Sequence, residues 1–375
     1  MQFIVDHELF NKMIAEAASV VSSKSAIPIL NGIKLIAEEN RLIIVGSNSE
    51  VVLVKEIPLL VNGRKVLDVK EIGETVLSAK YLSPLLRKLS TDIAVDVKDG
   101  IAHIRSGEIR TRLSSMDSSE YPSLPQISEN EGVSIGSEVF NQVVGQTVFA
   151  ASSNESRPLL TGVNFSFSRG KLTAVATNSH RLTLKKAEIK SIDNGECTVP
   201  ATSLITFSKL IRKTSSEVKL YMNENFIIFS SENTTLYSRL IEGQYPDVKR
   251  LIPNDSKLTI ELNTKRLYEA VDRACLFASD WRHNNIRLSL NDSGNLSISS
   301  RAGEVGDISE TQEIINFSGE AELDLSLDGS FLKDALSVID NREILISFGG
   351  TMRPIIITPK SDSSYLQLIS PVRSY

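Results

Sequence analysis

Ile27-Pro28-Ile29-Leu30-Asn31-Gly32-Ile33 is echoed 130 residues later by Arg157-Pro158-Leu159-Leu160-Thr161-Gly162-Val163, and any fold for this chain must accommodate that repetition. The same offset carries Leu42 to Leu172 and Ser47-Asn48-Ser49 to Thr177-Asn178-Ser179. A second marker closes each copy, Glu120-Tyr121-Pro122 and then Gln244-Tyr245-Pro246, each followed shortly by a Leu-Pro or Ile-Pro pair. A third copy is fainter: Tyr268-x-x-Val271 and Leu276-Phe277-Ala278 match Phe140-x-x-Val143 and Val148-Phe149-Ala150 at an offset of 128. A chain of 375 residues has room for about two to four ordinary domains, and the repetition selects three. They run over 1–128, 129–254 and 255–375, divided at the polar, turn-prone stretches Ser128-Glu129-Asn130-Glu131-Gly132 and Pro253-Asn254-Asp255-Ser256.

Within each third the pattern doubles again, an amphipathic helix and then paired strands, twice. Leu9, Met13, Ile14, Ala17 and Val21 form an apolar stripe at helical spacing, and Leu82, Leu85, Leu86 and Leu89 form another. Ser83 and Pro84 suit the N-cap and first turn of the latter. After each second helix comes a hairpin. Ile93, Val95 and Val97 alternate up to Asp99-Gly100, Val218, Leu220 and Met222 up to Asn223-Glu224-Asn225, and Ile344, Ile346 and Phe348 up to Gly349-Gly350. The expected fold is α+β, two helices per domain backed by antiparallel sheet.

Composition excludes several classes. Apolar residues make up 41% and charged residues 23%, an ordinary soluble balance, and no apolar run approaches the ~18 residues of a membrane helix. Asp6 and His7 interrupt the apolar start too early for a signal peptide. Cys197 and Cys275 are far apart and lack metal-ligand spacing, which predicts inert thiols in a reducing, cytoplasmic setting. His7, His103, His180 and His283 show no paired metal-ligand spacing, and no Gly-x-x-x-x-Gly-Lys phosphate loop or Gly-x-Ser-x-Gly elbow occurs. No metal or cofactor is expected. Ser179-His180 could suggest a catalytic dyad, but adjacent residues form one only in special geometry and no orienting acid is marked. A hydrolase based on His180 is therefore set aside, leaving a binding protein.

Three stretches, Arg157 to Val163, Ala176-Thr177-Asn178-Ser179-His180-Arg181-Leu182, and Leu366-Gln367-Leu368-Ile369-Ser370-Pro371-Val372-Arg373, spaced over a threefold-repeated chain, resemble the bacterial DNA polymerase III beta subunit, the sliding clamp family, over the full length. That resemblance implies three clamp domains per chain and a head-to-tail homodimer whose six domains form a ring. Helices would line the bore, with sheets outside. Twelve helices at roughly 10 Å spacing make a circle of axes about 38 Å across, and subtracting a helix diameter leaves roughly 28 Å, enough for a hydrated duplex. The partners implied are double-stranded DNA, held topologically and without sequence preference, and short linear peptides of the polymerase, clamp loader and repair proteins. The role is processivity without catalysis.

The net charge of -5 argues against a nucleic-acid partner unless the bases are clustered. On the expected helices, over 9–21, 81–89, 140–150, 203–213, 267–278 and 330–339, Lys12, Arg87, Lys88, Lys209, Arg212, Lys213, Arg273 and Lys333 outnumber Glu16, Glu269, Asp272 and Asp334. A basic lining within an acidic remainder would draw DNA inward, although Lys and Arg also simply solvate polar helix faces. By resemblance, Lys24 and Asn154 approach DNA together with Lys209, Arg212 and Lys213. Leu276 and Phe277 would pack on the first domain of a second copy, with a stripe facing its own core as the alternative. The peptide cleft, between the second and third domains, would have Leu182, Pro246, Leu251, Leu368 and Ile369 as its apolar wall. Leu160, Thr177, His180, Arg181, Arg250, Phe331, Met352, Pro371, Val372 and Arg373 would complete it. Ser370 departs from the family, which places a larger apolar residue there, and Leu159 replaces an aromatic found in some relatives. These departures leave open a principal clamp or a divergent second copy. The main rival to a clamp is a repeat-built protein scaffold that never encloses DNA.

Overall fold

The computed structural model of the chain describes residues 1–22, 27–124, 132–190, 194–212, 216–253, 255–278, 284–290, 293–303, 305–320 and 322–372. Two compact units emerge, one from Met1–Glu138 with Thr206–Leu240, the other from Val139–Ile205 with Ile241–Tyr375. The second repeat is thus shared out between them. Among the described residues there are six α-helices: α1 His7–Ala18, α2 Ala79–Leu86, α3 Ser137–Gly145, α4 Ala201–Ile211, α5 Thr264–Ala278 and α6 Gly329–Ser337. None is long and apolar enough to cross a membrane.

In the first unit, a thirteen-stranded sheet runs from Val133–Gly136 at one edge to Leu67–Glu71 at the other. Asp6 caps α1, its Oδ1 accepting from the Leu9 N–H at 3.0 Å, and the stripe Phe10, Met13, Ile14 and Ala17 is buried. Phe3 meets Phe10 edge-on at 6.1 Å. The expected turn at Asp99-Gly100 joins strands Ile93–Lys98 and Ile101–Ser106, both turn residues having positive φ (50° and 72°), as the favoured two-residue hairpin requires. In the second unit, a nine-stranded and a four-stranded antiparallel sheet share a core with α5 and α6, centred on Leu267, Val271, Leu332, Ile346 and Tyr365.

The repeated motifs have concrete jobs. Pro28–Asn31 and Pro158–Thr161 are short 3-10 turns. Gly32 and Gly162, which follow them, begin strands under crowding: a β-carbon at Gly32 would stand 2.4 Å from Val76 Cγ1, and one at Gly162 2.7 Å from Thr198 Cγ2. Asn48 and Asn178 close equivalent hairpins, each Oδ1 accepting from two backbone N–H groups ahead of it, with Ser49 and Ser179 in the left-handed region (φ 76° and 78°).

Two local expectations are corrected. α2 starts at Ala79, straight out of strand Gly73–Ser78, so Ser83 is buried within the helix and Pro84 sits six residues into it. In so short a helix the proline forfeits one backbone bond, to the Lys80 carbonyl, and lies on the exposed side. The helix expected over 140–150 ends at Gly145, and Val148–Ala150 forms a separate 3-10 turn.

Successive repeats join by strand addition. Strand Val51–Pro58 of the first repeat pairs antiparallel with Thr234–Arg239 of the second, and Arg181–Glu188 of the second pairs with Tyr365–Ile369 of the third. Each joint contains a buried lysine at the same repeat position. Lys55, with 4% of its side chain exposed, lies 2.6 Å from Glu16 and donates to Thr234 Oγ1 at 2.5 Å. Burial pushes its pKa down although Glu16 pulls it up. Lys185, 5% exposed, donates to Asp362 Oδ2 and Ser364 Oγ, both at 2.8 Å. Burial would raise the Asp362 carboxyl, but the bonds from Lys185 and Ser364 outweigh it and hold the group below its usual value of 3.8. The folded state therefore binds this proton more weakly than the unfolded one, so the stabilisation is present above about pH 4 and is lost as pH falls below it. Removing one partner strands the other charge. Lys185→Met is expected to cost about 3 kcal/mol, and adding Asp362→Asn to restore most of it. Urea denaturation followed by circular dichroism checks this; a double variant as unstable as the single one would show that the pairing contributes nothing.

Candidate functional site

The turn Thr177–Arg181 is fixed from within. Thr177 Oγ1 donates to the Arg181 carbonyl at 2.6 Å and accepts from the Ser179 N–H at 3.1 Å, while Arg157 Nη1 reaches Ser179 Oγ at 3.1 Å. The following strand pairs with the C-terminal strand in a register that puts Leu182 opposite Leu368 and Arg181 opposite Ile369. The Ser370 N–H continues the ladder to the His180 carbonyl at 2.8 Å, and the Val372 N–H bonds the Ser326 carbonyl at 2.9 Å.

Neighbouring residues of a strand point to opposite faces, and the expected site residues divide accordingly. On one face Leu160, Val175, Leu182, Tyr245, Val248 and Leu368 form a small apolar cluster, separate from the main core, with Leu184 packed against it. On the other, Ile369 is 1% exposed and belongs to the core of the third repeat. Its expected place on the apolar wall is corrected: a residue adjacent to Leu368 cannot share its face. Arg181 is also on this second face, with 11% of its side chain exposed. Its guanidinium lies over the rings of Phe331 (4.6 Å) and Phe149 (5.3 Å), pairs with Asp334 at 2.7 Å and donates to the Phe149 carbonyl. The His180 ring stacks on Phe331, centroids 6.4 Å apart. Arg181 therefore acts as an internal bracket that holds the turn in place.

The cluster has a counterpart at the other joint. There Leu30, Val45, Tyr121 and Tyr237 occupy the positions of Leu160, Val175, Tyr245 and Leu368, the last match fixed by the pairs Val52 with Tyr237 and Leu182 with Leu368. An aromatic ring fills the first joint where the second has a leucine. Beside Val248, on the same 3-10 turn Val248–Leu251, Leu251 is 55% exposed, an apolar side chain left in water next to an apolar cluster. Met352 is also exposed, at 59%, and so are Pro246 and Arg250, the latter 3.0 Å from Asp247. Thr177 is buried, and Ser370, Pro371 and Val372 are half-buried. Val175, Tyr245 and Val248 were not among the expected site residues; the recurrence of Tyr121 as Tyr245 was the available signal.

Of the expected DNA-facing residues, Lys209 and Arg212 are exposed, and so is Asn154, while Lys24 and Lys213 lie outside the described residues, as does Arg373 of the cleft. Not all of the helical bases are available: Arg273 pairs with Glu310 through two bonds of 2.8 Å, and Lys333 with Asp272 at 2.5 Å. Leu276 is 71% exposed, which removes a purely core-facing role for it, and Phe277 is half-buried against Gly306.

Three family descriptions cover nearly the whole chain: the DNA polymerase III beta subunit N-terminal domain over residues 1–125, its central domain over 134–247 and its C-terminal domain over 249–373. The beta sliding clamp of Bacillus subtilis is 35% identical over 379 aligned residues, covering 100% of both chains. The chain belongs to the beta sliding clamp family. The Staphylococcus aureus (strain Mu50) clamp is 33% identical, again covering 100% of each chain. Crystal structures of the B. subtilis clamp and of the Streptococcus pneumoniae DNA polymerase III beta chain superpose with TM-scores of 0.97 and 0.94, at 35% and 31% identity, over 100% of each chain. The sliding clamp is a non-catalytic processivity subunit of the replicative DNA polymerase, a role this chain shares, and the family assembles as a ring dimer.

The two leucines of the cluster's edge should behave differently on truncation. Leu182→Ala, which removes a buried side chain, should lower the unfolding free energy by roughly 2 to 4 kcal/mol. Leu251→Ala should change it by less than about 0.5 kcal/mol. Equal losses in urea titrations would mean that Leu251 is packed in solution.

Proposed function

We propose that the apolar cluster around Leu182 and Leu368 is the floor of a peptide-binding cleft between the second and third clamp domains, with the domains spanning 1–128, 129–254 and 255–375. Peptides of the polymerase, the clamp loader and repair proteins bind there. The observation that carries this reading is a six-residue apolar cluster at the end of an inter-repeat joint, bordered by the exposed Leu251. Leu160, Thr177, Pro246, Arg250 and Met352 complete the surround, His180, Pro371 and Val372 border the turn, and Arg373, outside the described residues, is assigned to the cleft by the family resemblance alone. Arg181 and Phe331 set the turn from behind. Ser370 stands at the rim with a hydroxyl where relatives place apolar bulk, which lowers the apolar area offered to a peptide and sets this cleft's preference apart. Burial pushes the Cys197 thiol up to about 12, in keeping with an inert cysteine in the cytoplasm.

A short peptide of apolar and acidic residues, patterned on a polymerase tail, tests the cleft by isothermal titration. Leu251→Ala should cost on the order of 1 to 3 kcal/mol of binding, and Ser370→Met should strengthen binding. Undiminished affinity in Leu251→Ala together with Met352→Ala would put the site elsewhere.

Two copies close head to tail, Leu276 and Phe277 of the third domain against the first domain of the other copy, with Lys24, Lys209, Arg212 and Lys213 facing the duplex. Direct affinity for DNA is low and salt-sensitive for a chain with a net charge of -5. Retention is topological. Once loaded by a clamp loader with ATP, the protein should persist on nicked circular DNA and slide off within seconds of linearisation. Equal retention on circles and on linear DNA of the same length would favour the scaffold reading instead.

A further inference from the structure

Equivalent outer strands in the first and third repeats are protected to different degrees. Strand Gln2–Val5 lies between Ile93–Lys98 and the outer strand Leu67–Glu71, as Leu258–Asn263 lies between Glu343–Phe348 and the outer strand Asn316–Gly319. The helix caps that follow fix the correspondence: Asp6 Oδ1 accepts from the N–H three residues ahead, and so does Asn263 Oδ1, from Arg266 at 3.0 Å. Phe3 therefore matches Ile260, and the residues opposite them, Val69 and Phe317, match in turn, as do Asp68 and Asn316.

An outer strand invites pairing through its free backbone groups, and charged side chains blunt it. The first repeat has Asp68, Lys70 and Glu71 there, Asp68 held by Lys70 at 2.6 Å and by Lys65 at 3.1 Å, while Val69 packs against the core. Asn316–Gly319 has no charged residue, and all four of its residues are exposed. Phe317 is 53% exposed and the preceding Ile315 50%. No second ladder covers this strand among the described residues. The Glu320 N–H bonds the Lys257 carbonyl at 2.9 Å, and bonded pairs alternate along an antiparallel ladder, so Phe317 turns its own N–H and carbonyl to the open side.

The surroundings select the occupant. Glu313 precedes the strand and Glu320 and Glu322 follow it, all exposed, and among the described residues only Lys257, 3.8 Å from Glu320, pairs with any of them. Beside Glu320 a cavity of 240 Å³ has the buried Leu258, Leu323 and Phe348 as its floor and Glu320, Glu322 and Lys257 at its mouth. It suits a lysine or arginine, whose apolar stem covers the floor while its head group meets the carboxylates. A second copy of this chain fits badly: antiparallel pairing centred on Phe317 brings Glu320 of each copy beside Glu313 of the other, and like charges across a ladder destabilise it. We propose that Asn316–Gly319 is a second protein-docking site, which takes an extended, apolar segment of a partner protein, flanked by lysine or arginine, as an added strand. Three strands separate it from Tyr365–Ile369 in the same sheet, roughly 19 Å at about 4.8 Å per step, so a protein held in the cleft can engage both.

Fluorescence anisotropy with the full-length chain, its folding checked by circular dichroism, tests the proposal. The probe is a labelled peptide of alternating valine and threonine with two lysines at each end; its counterpart carries glutamates at the ends. The lysine-flanked peptide should bind at least about tenfold more tightly than the glutamate-flanked one, and Glu320→Lys with Glu322→Lys should reverse that order. Phe317→Pro removes the outward N–H at an edge position where proline is tolerated, and should weaken binding about tenfold or more. Phe317→Val, which keeps the N–H and installs the residue of the first repeat, should stay within about threefold of the parent. No binding of the lysine-flanked peptide at about 1 mM overturns the site. Undiminished binding to a folded Phe317→Pro variant overturns strand addition, and equal affinity for both peptides overturns the charge preference. Loss of binding in Leu251→Ala, with Phe317→Pro unaffected, would put the peptide in the cleft and overturn the second site while leaving the cleft reading intact.

Discussion

Unpaired strand edges govern this molecule. A strand at the margin of a sheet presents backbone donors and acceptors that need partners, and each of the first two repeats resolves this by accepting the last strand of the next. Val51–Pro58 takes Thr234–Arg239, and Arg181–Glu188 takes Tyr365–Ile369. Sheets that would stop at a repeat boundary run through it. The contact units consequently cut through the second repeat instead of falling between repeats. A chain built in this way behaves as overlapping sheets, not as three beads on linkers.

The candidate cleft is a by-product of the same joints. Where one strand is laid against another, the outer face needs apolar cover, supplied at the first joint partly by Tyr237 and at the second by Leu368. The smaller side chain, together with the exposed Leu251, turns a structural seam into a surface suited to a guest. Arg181 serves the same end from the opposite face. Held between two aromatic rings and ion-paired with Asp334, it fixes the turn that brings Thr177 and Leu182 into place.

Much of this was legible in the residues. The Pro-x-x-x-Gly and Asn-Ser echoes marked turns and crowded strand starts because their physical demands, a left-handed residue or a missing β-carbon, admit few residue types. The hairpin at Asp99-Gly100 was legible for the same reason. Other features depend on partners far along the chain. Lys55 and Lys185 read as ordinary strand lysines, since Thr234 and Asp362 are 179 and 177 residues away. Ile369 and Leu368 are equally apolar, and only the paired strand decides which face each takes. Ser83-Pro84 resembled a helix start, but continuity from the preceding strand moved the start upstream. The exposure of Leu276 could not be told from its helical spacing, which an inward-facing leucine would share.

Joining by strand addition also sets an order of events at the ribosome. Strand Val51–Pro58 receives its partner only after residues 234–239 have been made, and at 5 to 20 residues per second the gap of 179 residues between Lys55 and Thr234 takes roughly 10 to 40 s. Throughout that interval a strand containing Val51, Val52, Leu53 and Val54 presents an open edge on a nascent chain. An inward-pointing charge is a known defence against premature pairing at such edges, and Lys55 supplies one. The lysine that is bonded across the finished joint is thus also a charge on its unfinished edge: Glu16 already pairs with the ammonium, but an approaching apolar strand from another chain would have to cover that ion pair without the hydroxyl that Thr234 brings.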